Sequence, residues 1–368
     1  MSAQIKFAII GCGRIAERHI EAINCIEDAQ LIAVCDLNTE RAQEKATLAS
    51  VPFYTSYRDM LCQHPEIDVV NVLTPSGMHY EHVGEILSNY RKHVLIEKPM
   101  VLRVEQGLHL KKIADQLNLN IFPVYQNRFN KAVQRVKTAI TTLNELGPIN
   151  VGTVRVRWCR PQRYYDLSPW RGTWAMDGGA LTNQGIHYID LLRYLCGEVK
   201  RVHAKNSTLG AAIEVEDTSV AILEFENGRL GVIEIMTSAR PTDFEASISC
   251  VCEKGLAVLS GIATNELTTF SPDSAQEKLF SEEFNTVYGY GHNQIIQGIV
   301  DCLIHKQNPL IDFNDGLKTI QLLHALYRSD EIGGWVDVEN AVSTRLGRPD
   351  ESLSKLYRLS PKEVSFVS

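Results

Sequence analysis

The stretch from Ile5 to Asp36 restricts the fold of this chain more than any other. An apolar run, Ile5-Lys6-Phe7-Ala8-Ile9-Ile10, leads directly into Gly11-Cys12-Gly13-Arg14-Ile15-Ala16. Glycine at 11 permits a tight turn after a strand, glycine at 13 lets backbone approach a pyrophosphate, and alanine at 16 allows close packing of helix on strand. The helix that begins there turns its N-terminus toward phosphates, which makes Arg14 and Ile15 candidate contacts as well. Asp36 closes a second apolar run, Leu31-Ile32-Ala33-Val34-Cys35, where a carboxylate can accept hydrogen bonds from ribose hydroxyls. The same carboxylate repels a 2'-phosphate and Leu37 offers no guanidinium, so the pattern predicts NAD rather than NADP. A glycine turn that binds nothing and a merely solvated Asp36 are the competing readings; the order strand, turn, helix, strand, acid favours the dinucleotide.

The rest of the first 124 residues repeats the alternation. Apolar runs near 5–10, 30–35, 68–73, 93–96 and 120–124 read as buried parallel strands, and 14–26, 39–49, 79–90 and 103–117 as helices between them. Right-handed crossovers then give a doubly wound, Rossmann-type sheet. Beyond Tyr125 the period falls to two, over 149–158, 199–207, 217–225, 229–237 and 244–252, as half-buried strands require. Glu226-Asn227-Gly228 predicts a tight primed hairpin turn, with Asn and Gly both at positive φ. Helical patterns follow at 291–305 and 314–330. The expected fold class is α/β: a doubly wound parallel sheet in residues 1–124, then an α+β domain with an open, largely antiparallel sheet in 125–368. A length of 368 residues suits two such cores. The open sheet, covered by helices on one face, predicts a homo-oligomer, a tetramer before a dimer, and the polar tail after Arg345 reads as an arm.

Composition narrows the partners. A formal charge of -7 argues against a nucleic-acid or anionic-membrane surface, which would reward clustered Lys and Arg. No apolar run approaches the roughly 18 to 20 residues that span a bilayer, and Met1 to Gln4 lead into a strand without a signal sequence, so a cytoplasmic location is expected. The nine cysteines lack the spacing of a disulfide framework. Cys250 and Cys252 point to one face of a strand without a nearby histidine or second pair, so no metal is expected.

Chemistry is expected at the carboxyl ends of the parallel strands, where such folds bind ligands. Leu73-Thr74-Pro75-Ser76-Gly77-Met78-His79 forms a turn-rich loop there, with Thr74, Pro75 and His79 as candidate cofactor contacts. Val94-Leu95-Ile96-Glu97-Lys98-Pro99 brings Glu97 and an ammonium to the same edge, although a strand-end lysine is commonly only solvated. Further on, Gly178-Gly179 precede a helix whose apolar stripe runs through Leu181, Tyr188, Leu192 and Leu195. Asn183 and His187, four apart, share another face of it.

These three elements together resemble the Gfo/Idh/MocA family of nicotinamide-dependent sugar and polyol dehydrogenases, over nearly the whole chain. The resemblance implies that Lys98 and His187 face the nicotinamide and the reacting carbinol, and it adds Glu97, Gln126, Trp170 and Arg171 on the cofactor side. A narrower likeness, carried by Arg157 to Tyr165, Trp170 to Trp174, Thr182-Asn183-Gln184 and Gln126 to Asn130, is to bacterial UDP-N-acetyl-2-amino-2-deoxy-glucuronate 3-dehydrogenases, which serve surface-polysaccharide (O-antigen) synthesis. It implies a UDP-sugar partner met by Lys98, Asn127, Arg128, Arg160, Arg163, Tyr164, Tyr165, Asn183 and His187. A substrate with two phosphates and a carboxylate needs several guanidinium forks, and the arginines concentrate in this stretch; strand alternation turns some of them outward. Where the family commonly has Asp this chain has Asn183, which removes an anion beside His187. In some relatives 2-oxoglutarate reoxidises tightly held NADH, which makes it a candidate co-substrate. Two alternatives stand beside this: a dehydrogenase of a free sugar or inositol, and a non-catalytic NAD-binding regulator.

Overall fold

Strand β1 (Ile5–Ile10) is buried along almost its whole length, as a strand covered on both faces must be. It pairs in parallel with β2 (Ala29–Cys35) on one side and β4 (Val69–Val72) on the other. With β3 (Phe53–Tyr54), β5 (His93–Ile96) and β6 (Ile121–Pro123) they form a six-stranded parallel sheet in the order β3-β2-β1-β4-β5-β6. The order reverses direction between β1 and β4, so their carboxyl ends open the crevice of a doubly wound fold. Its helices are α1 (Ala16–Asn24), α2 (Thr39–Ala49), α3 (Tyr57–Gln63), α4 (His79–Glu85) and α5 (Val104–Leu117). Local chemistry sets several ends: Asn38 Oδ1 accepts the Arg41 amide to start α2, and Ser50 ends it in the left-handed conformation. The amphipathic stretch 79–90 is not one α-helix throughout, because Ile86–Tyr90 widens into a π-turn that Arg91 closes at φ +55°.

The structure, a computed structural model, describes residues 4–284, 286–340 and 343–358; the end of the polar tail lies outside them. Among the described residues two compact units form. One comprises the chain up to Val124, His292–Leu317 and the stretch from Pro349; the other comprises Tyr125–Gly291 and Lys318–Arg348. The passage at Val124–Tyr125 is thus one of several, and a partition by chain position describes only that one.

In the second unit, α6 (Lys131–Thr141) precedes β7 (Ile149–Arg157), which is followed by α7 (Gln162–Tyr165) and α8 (Ile186–Cys196). Six strands, β8 (Val199–Ser207), β9 (Thr218–Phe225), β10 (Leu230–Met236), β11 (Glu245–Cys252), β12 (Leu256–Ser260) and β13 (Glu266–Phe270), come next, then α9 (Ala275–Phe280); α10 (Gly291–His305) and the first turn of α11 (Phe313–Ile332) belong almost wholly to the first unit, and the rest of α11 and β14 (Val336–Asp337) to the second. The eight-stranded sheet runs β13-β12-β11-β7-β10-β9-β8-β14, antiparallel except where β7 and β10 lie parallel. One face packs on α8: a side chain at Gly152 of β7 would come within 2.5 Å of Cys196 Sγ and 2.8 Å of Leu192 Cδ1. The opposite face keeps Val220 and Ile222 each 49% exposed. The hairpin between β9 and β10 forms, but not with a primed turn. Only Gly228 takes positive φ (+78°), and its amide donates to Phe225 O at 2.9 Å. That is the three-residue hairpin, in which a single left-handed residue follows an ordinary turn. Among the described residues no helix is long and apolar enough to cross a membrane.

Candidate active site

The glycine turn is shaped as its spacing predicts. Gly11 has φ +96°, and a methyl there would lie 2.5 Å from the Leu73 carbonyl oxygen, so neither the conformation nor the space admits a side chain. Gly13 differs, since a methyl there meets nothing within 4 Å. Its backbone faces open space at the start of α1, with Arg14 exposed and Ile15 half-buried beside it. Asp36 ties the second strand to this turn: Oδ2 accepts the Cys12 amide at 2.7 Å and Oδ1 the Asn38 amide at 2.8 Å. Each carboxylate oxygen has a second lone pair for a further donor.

The loop after β4 and the end of β5 are pinned from below. Thr74 and Pro75 are half-buried; Thr74 Oγ1 pairs with His82 Nδ1 at 2.9 Å. His79, expected among the cofactor contacts, is buried with Nδ1 2.9 Å from Pro99 O and Nε2 2.8 Å from Thr74 O. Burial pushes its pKa down, and a neutral ring donates to only one of these carbonyls, so His79 joins the loop to the Pro99 turn with its other nitrogen facing the second. Glu97 also turns inward, against expectation. Its Oε1 lies 3.0 Å from His19 Nε2 and 3.5 Å from His292 Nε2, while Oε2 accepts the Lys98 amide at 3.0 Å. Lys98 itself is half-buried at the strand end.

In the second unit the expected residues separate into two groups. Gln126, Asn127 and Arg128 lie on a buried 3-10 turn, Gln126–Phe129. The Arg128 guanidinium forks onto Asp190, Nε to Oδ2 at 2.7 Å and Nη2 to Oδ1 at 2.6 Å, with Tyr125 and Tyr194 against its faces. A buried arginine so matched has its charge balanced within the protein. The Tyr165 hydroxyl is likewise buried, against Thr237 Oγ1 at 2.9 Å. Strand alternation sends Arg157 to the face opposite α8, where Glu234 (2.7 Å) and Glu245 (3.2 Å) pair with it.

The second group forms a ladder of cations and rings. Arg160 lies over Trp158 and Tyr164, and Arg171 over Tyr164 and Trp170, with guanidinium carbons 4.5 to 5.6 Å from the ring centres. The Tyr164 hydroxyl accepts from Arg171 Nη1 at 2.6 Å and Gln184 Nε2 at 3.1 Å. Burial pushes that phenol's pKa up, so it stays a neutral hydrogen-bonding group. Arg160 is partly offset by Asp243 at 2.8 Å, and Arg163 is exposed. Arg171 Nε is buried without a partner among the described residues.

His187 is the second residue of α8, and Asn183 precedes the helix in a turn whose Asn183 amide donates to Gly179 O and Gly185 amide to Ala180 O. The expected helix starts later than its periodicity suggests, because Gly178 at φ +73° and Gly179 hold the chain in turns. Asn183 is not far from an anion: its side-chain Nδ2 donates to Asp177 Oδ1, and Asp177 Oδ2 accepts the Gly172 backbone amide at 2.8 Å. Beneath the turn lies a residue the sequence reading passed over. Glu216, buried, accepts the Leu181 amide (3.0 Å) and the Tyr327 hydroxyl (2.9 Å) on Oε1, and any side chain at Gly179 would strike it. Its only sequence signal is an acidic pair, Glu216-Asp217, opening an apolar strand. His19 and His292 were passed over too; His19 lies three residues past Ala16 on the glycine-turn helix, but nothing in sequence joins it to residue 292.

Known proteins bear on this arrangement. The description "Oxidoreductase family, NAD-binding Rossmann fold", of the Gfo/Idh/MocA type, matches residues 5–125, and its "C-terminal alpha/beta domain" matches 138–338. A solved structure of the WlbA dehydrogenase from Bordetella pertussis, in complex with NADH and UDP-GlcNAcA, is 38% identical, covering 92% of this chain and 98% of that one, with a TM-score of 0.86. The WlbA dehydrogenase from Chromobacterium violaceum, with the same two ligands, is 36% identical over 92% of this chain and 96% of its own, with a TM-score of 0.82. A myo-inositol 2-dehydrogenase of Thermotoga maritima is 29% identical over 92% of this chain and 100% of its own.

Proposed function

We propose, because the chain belongs to the Gfo/Idh/MocA family of NAD-binding oxidoreductases, that it oxidises the 3-hydroxyl of a UDP-N-acetylamino-glucuronic acid to the 3-keto sugar, in the supply of a surface-polysaccharide precursor. The observation that carries this reading is the likeness, at 38% and 36% identity across 92% of the chain, to two dehydrogenases solved with NADH and UDP-GlcNAcA. The ladder Arg160–Tyr164–Arg171–Trp170 supports it, since guanidinium groups stacked on rings suit phosphate and carboxylate oxygens.

NAD is the cofactor of the family, and the residues present fit it: the open backbone at Gly13 and the spare lone pairs of Asp36 suit a pyrophosphate and a ribose. Gly11, Gly13, Arg14, Ile15, Asp36, Thr74 and Pro75 would hold it. When bound, it supplies the two-electron acceptor for the hydrogen on the carbinol carbon. His187 takes the hydroxyl proton, and Lys98 Nζ donates a hydrogen bond to the same oxygen and stabilises its growing negative charge. The exchange of these two roles gives the same stoichiometry. Replacement of Lys98 by Met and of His187 by Ala, with NAD reduction followed in the presence of UDP-GlcNAcA, tests the assignment. A loss of at least about 100-fold in kcat is expected in each; near-normal turnover in both overturns it. Addition of 2-oxoglutarate, the candidate oxidant of retained NADH, is expected to raise turnover.

A second reading, oxidation of a free sugar or cyclitol, is favoured by the Thermotoga maritima relative. Calorimetric titration with UDP separates the two: measurable UDP binding supports the nucleotide sugar, and its absence with turnover of inositol supports the alternative. A second copy of the chain is the proposed cover for the exposed face of the large sheet.

A further inference from the structure

We propose that the buried chain Asn71–His19–Glu97–His292 is a positioning device for Lys98, and that His292 completes it. This rests on the reading of Lys98 as a group acting at the reacting oxygen.

The four residues come from four elements of the first unit: β4, α1, the end of β5, and the start of α10. All are buried, Glu97 being 6% exposed. Burial alone would raise the Glu97 pKa, but the two imidazoles beside it, His19 hydrogen-bonded and His292 close by, hold it well below the ordinary value, so the carboxylate stays ionised. A buried anion must find donors in place of water. The donors are divided between its two oxygens. Asn71 Nδ2 lies 3.2 Å from His19 Nδ1 and donates to it, which leaves the proton of His19 on Nε2, directed at Glu97 Oε1. His292 Nε2 lies 3.5 Å from the same oxygen, within reach of its charge but without a formed hydrogen bond, its ring edge-on to that of His19 with centroids 5.0 Å apart. Oε2 is thereby turned to the Lys98 amide. On the far side of Lys98, the Pro99 carbonyl is held by His79.

Backbone on both sides of the lysine is thus fixed by buried groups, and its side chain leaves from a fixed point. A catalytic group must sit within about 0.5 Å of its productive place, and an error of about 1 Å lowers the rate about 100-fold. His292 is a positioning residue in this scheme, acting through Glu97 without touching substrate.

The test compares His292→Phe, which keeps ring volume without a donor, with His292→Gln, which restores an N–H. Steady-state kinetics with NAD and UDP-GlcNAcA, NAD affinity by calorimetry, and a Lys98→Met control are measured together. The expected result for H292F is a kcat lowered about tenfold to 100-fold, with NAD affinity within about threefold and KM little changed; H292Q is expected to recover to within about fivefold of the native rate. A kcat within about twofold of native for H292F, or equal losses in the two variants, overturns the proposal, as does a stoichiometric divalent metal in the purified protein, which would make Glu97 a ligand. If K98M is inactive while H292F is normal, only this proposal fails; if K98M is active, the reading of Lys98 falls and takes the proposal with it. Should H292F not fold, Glu97→Gln is read by the same criteria.

Discussion

Alanine placed at Gly11 and, separately, at Gly13 distinguishes the geometry of the turn from the approach of a ligand. At Gly11 the new methyl would lie 2.5 Å from the Leu73 oxygen and 2.9 Å from the Thr74 nitrogen, both backbone atoms that cannot swing aside, on a residue with φ +96°. The left-handed conformation costs an L-residue about 1–2 kcal/mol and overpacking about 1–3 kcal/mol more, so G11A should lose about 2–5 kcal/mol. For a unit of this size that lowers Tm by at least about 4 °C, read by thermal denaturation without nucleotide. At Gly13 a methyl meets nothing within 4 Å. G13A should therefore keep its Tm or gain slightly, from the narrower freedom of the unfolded chain. A pyrophosphate seated on that backbone would be displaced by the methyl at about 1–3 kcal/mol, weakening NAD about 5- to 150-fold in calorimetry. Unchanged NAD affinity in G13A would refute the seat at Gly13, and an unchanged Tm in G11A would refute the packing of the turn on the Leu73 loop.

Burial pushes the Glu216 carboxyl up to about 7 from an ordinary 4.5, so the folded chain holds a proton there that the unfolded chain releases. The stability this contributes is whole below pH 4.5 and declines as pH rises toward 7, by about 3 kcal/mol in all. Glu216→Gln should flatten that dependence in urea unfolding at pH 5 and pH 8, and equal slopes for the two proteins would sink the idea. Asp190→Ala strands the buried Arg128 guanidinium and should cost about 3–5 kcal/mol in the same assay, whereas a loss under about 1 kcal/mol would mean water or a ligand reaches it. Charges set on the exposed sheet face, Val220→Glu with Ile222→Lys, should dissociate the oligomer in light scattering; a monomeric native protein would end that proposal.

The legible parts of the fold are those with a strong, local cause. Ile5–Ile10 and His93–Ile96 were visible because buried parallel strands must be apolar on both faces, and Thr39–Ala49 because an amphipathic stretch between apolar runs marks it. Phe53–Tyr54, Val336–Asp337 and the pair Leu256–Ser260 and Glu266–Phe270 escaped, the first two because two residues carry no period and the others because their alternation is short. At the site, Gly11, Gly13 and Asp36 could be read directly, since the phosphate turn is built from consecutive backbone.

What lay beyond the sequence is the pairing of charges. The residue types arginine and glutamate do not say which partner will quench them, and that choice depends on elements distant in the chain arriving side by side. Only the folded protein set Arg128 against Asp190 and closed His19 and His292 around Glu97 beneath Lys98. Periodicity and turn chemistry, which act within a few residues, determined the two sheets and the nucleotide turn. The burial of ions, which is decided only when water is excluded between remote segments, belongs to the tertiary structure alone.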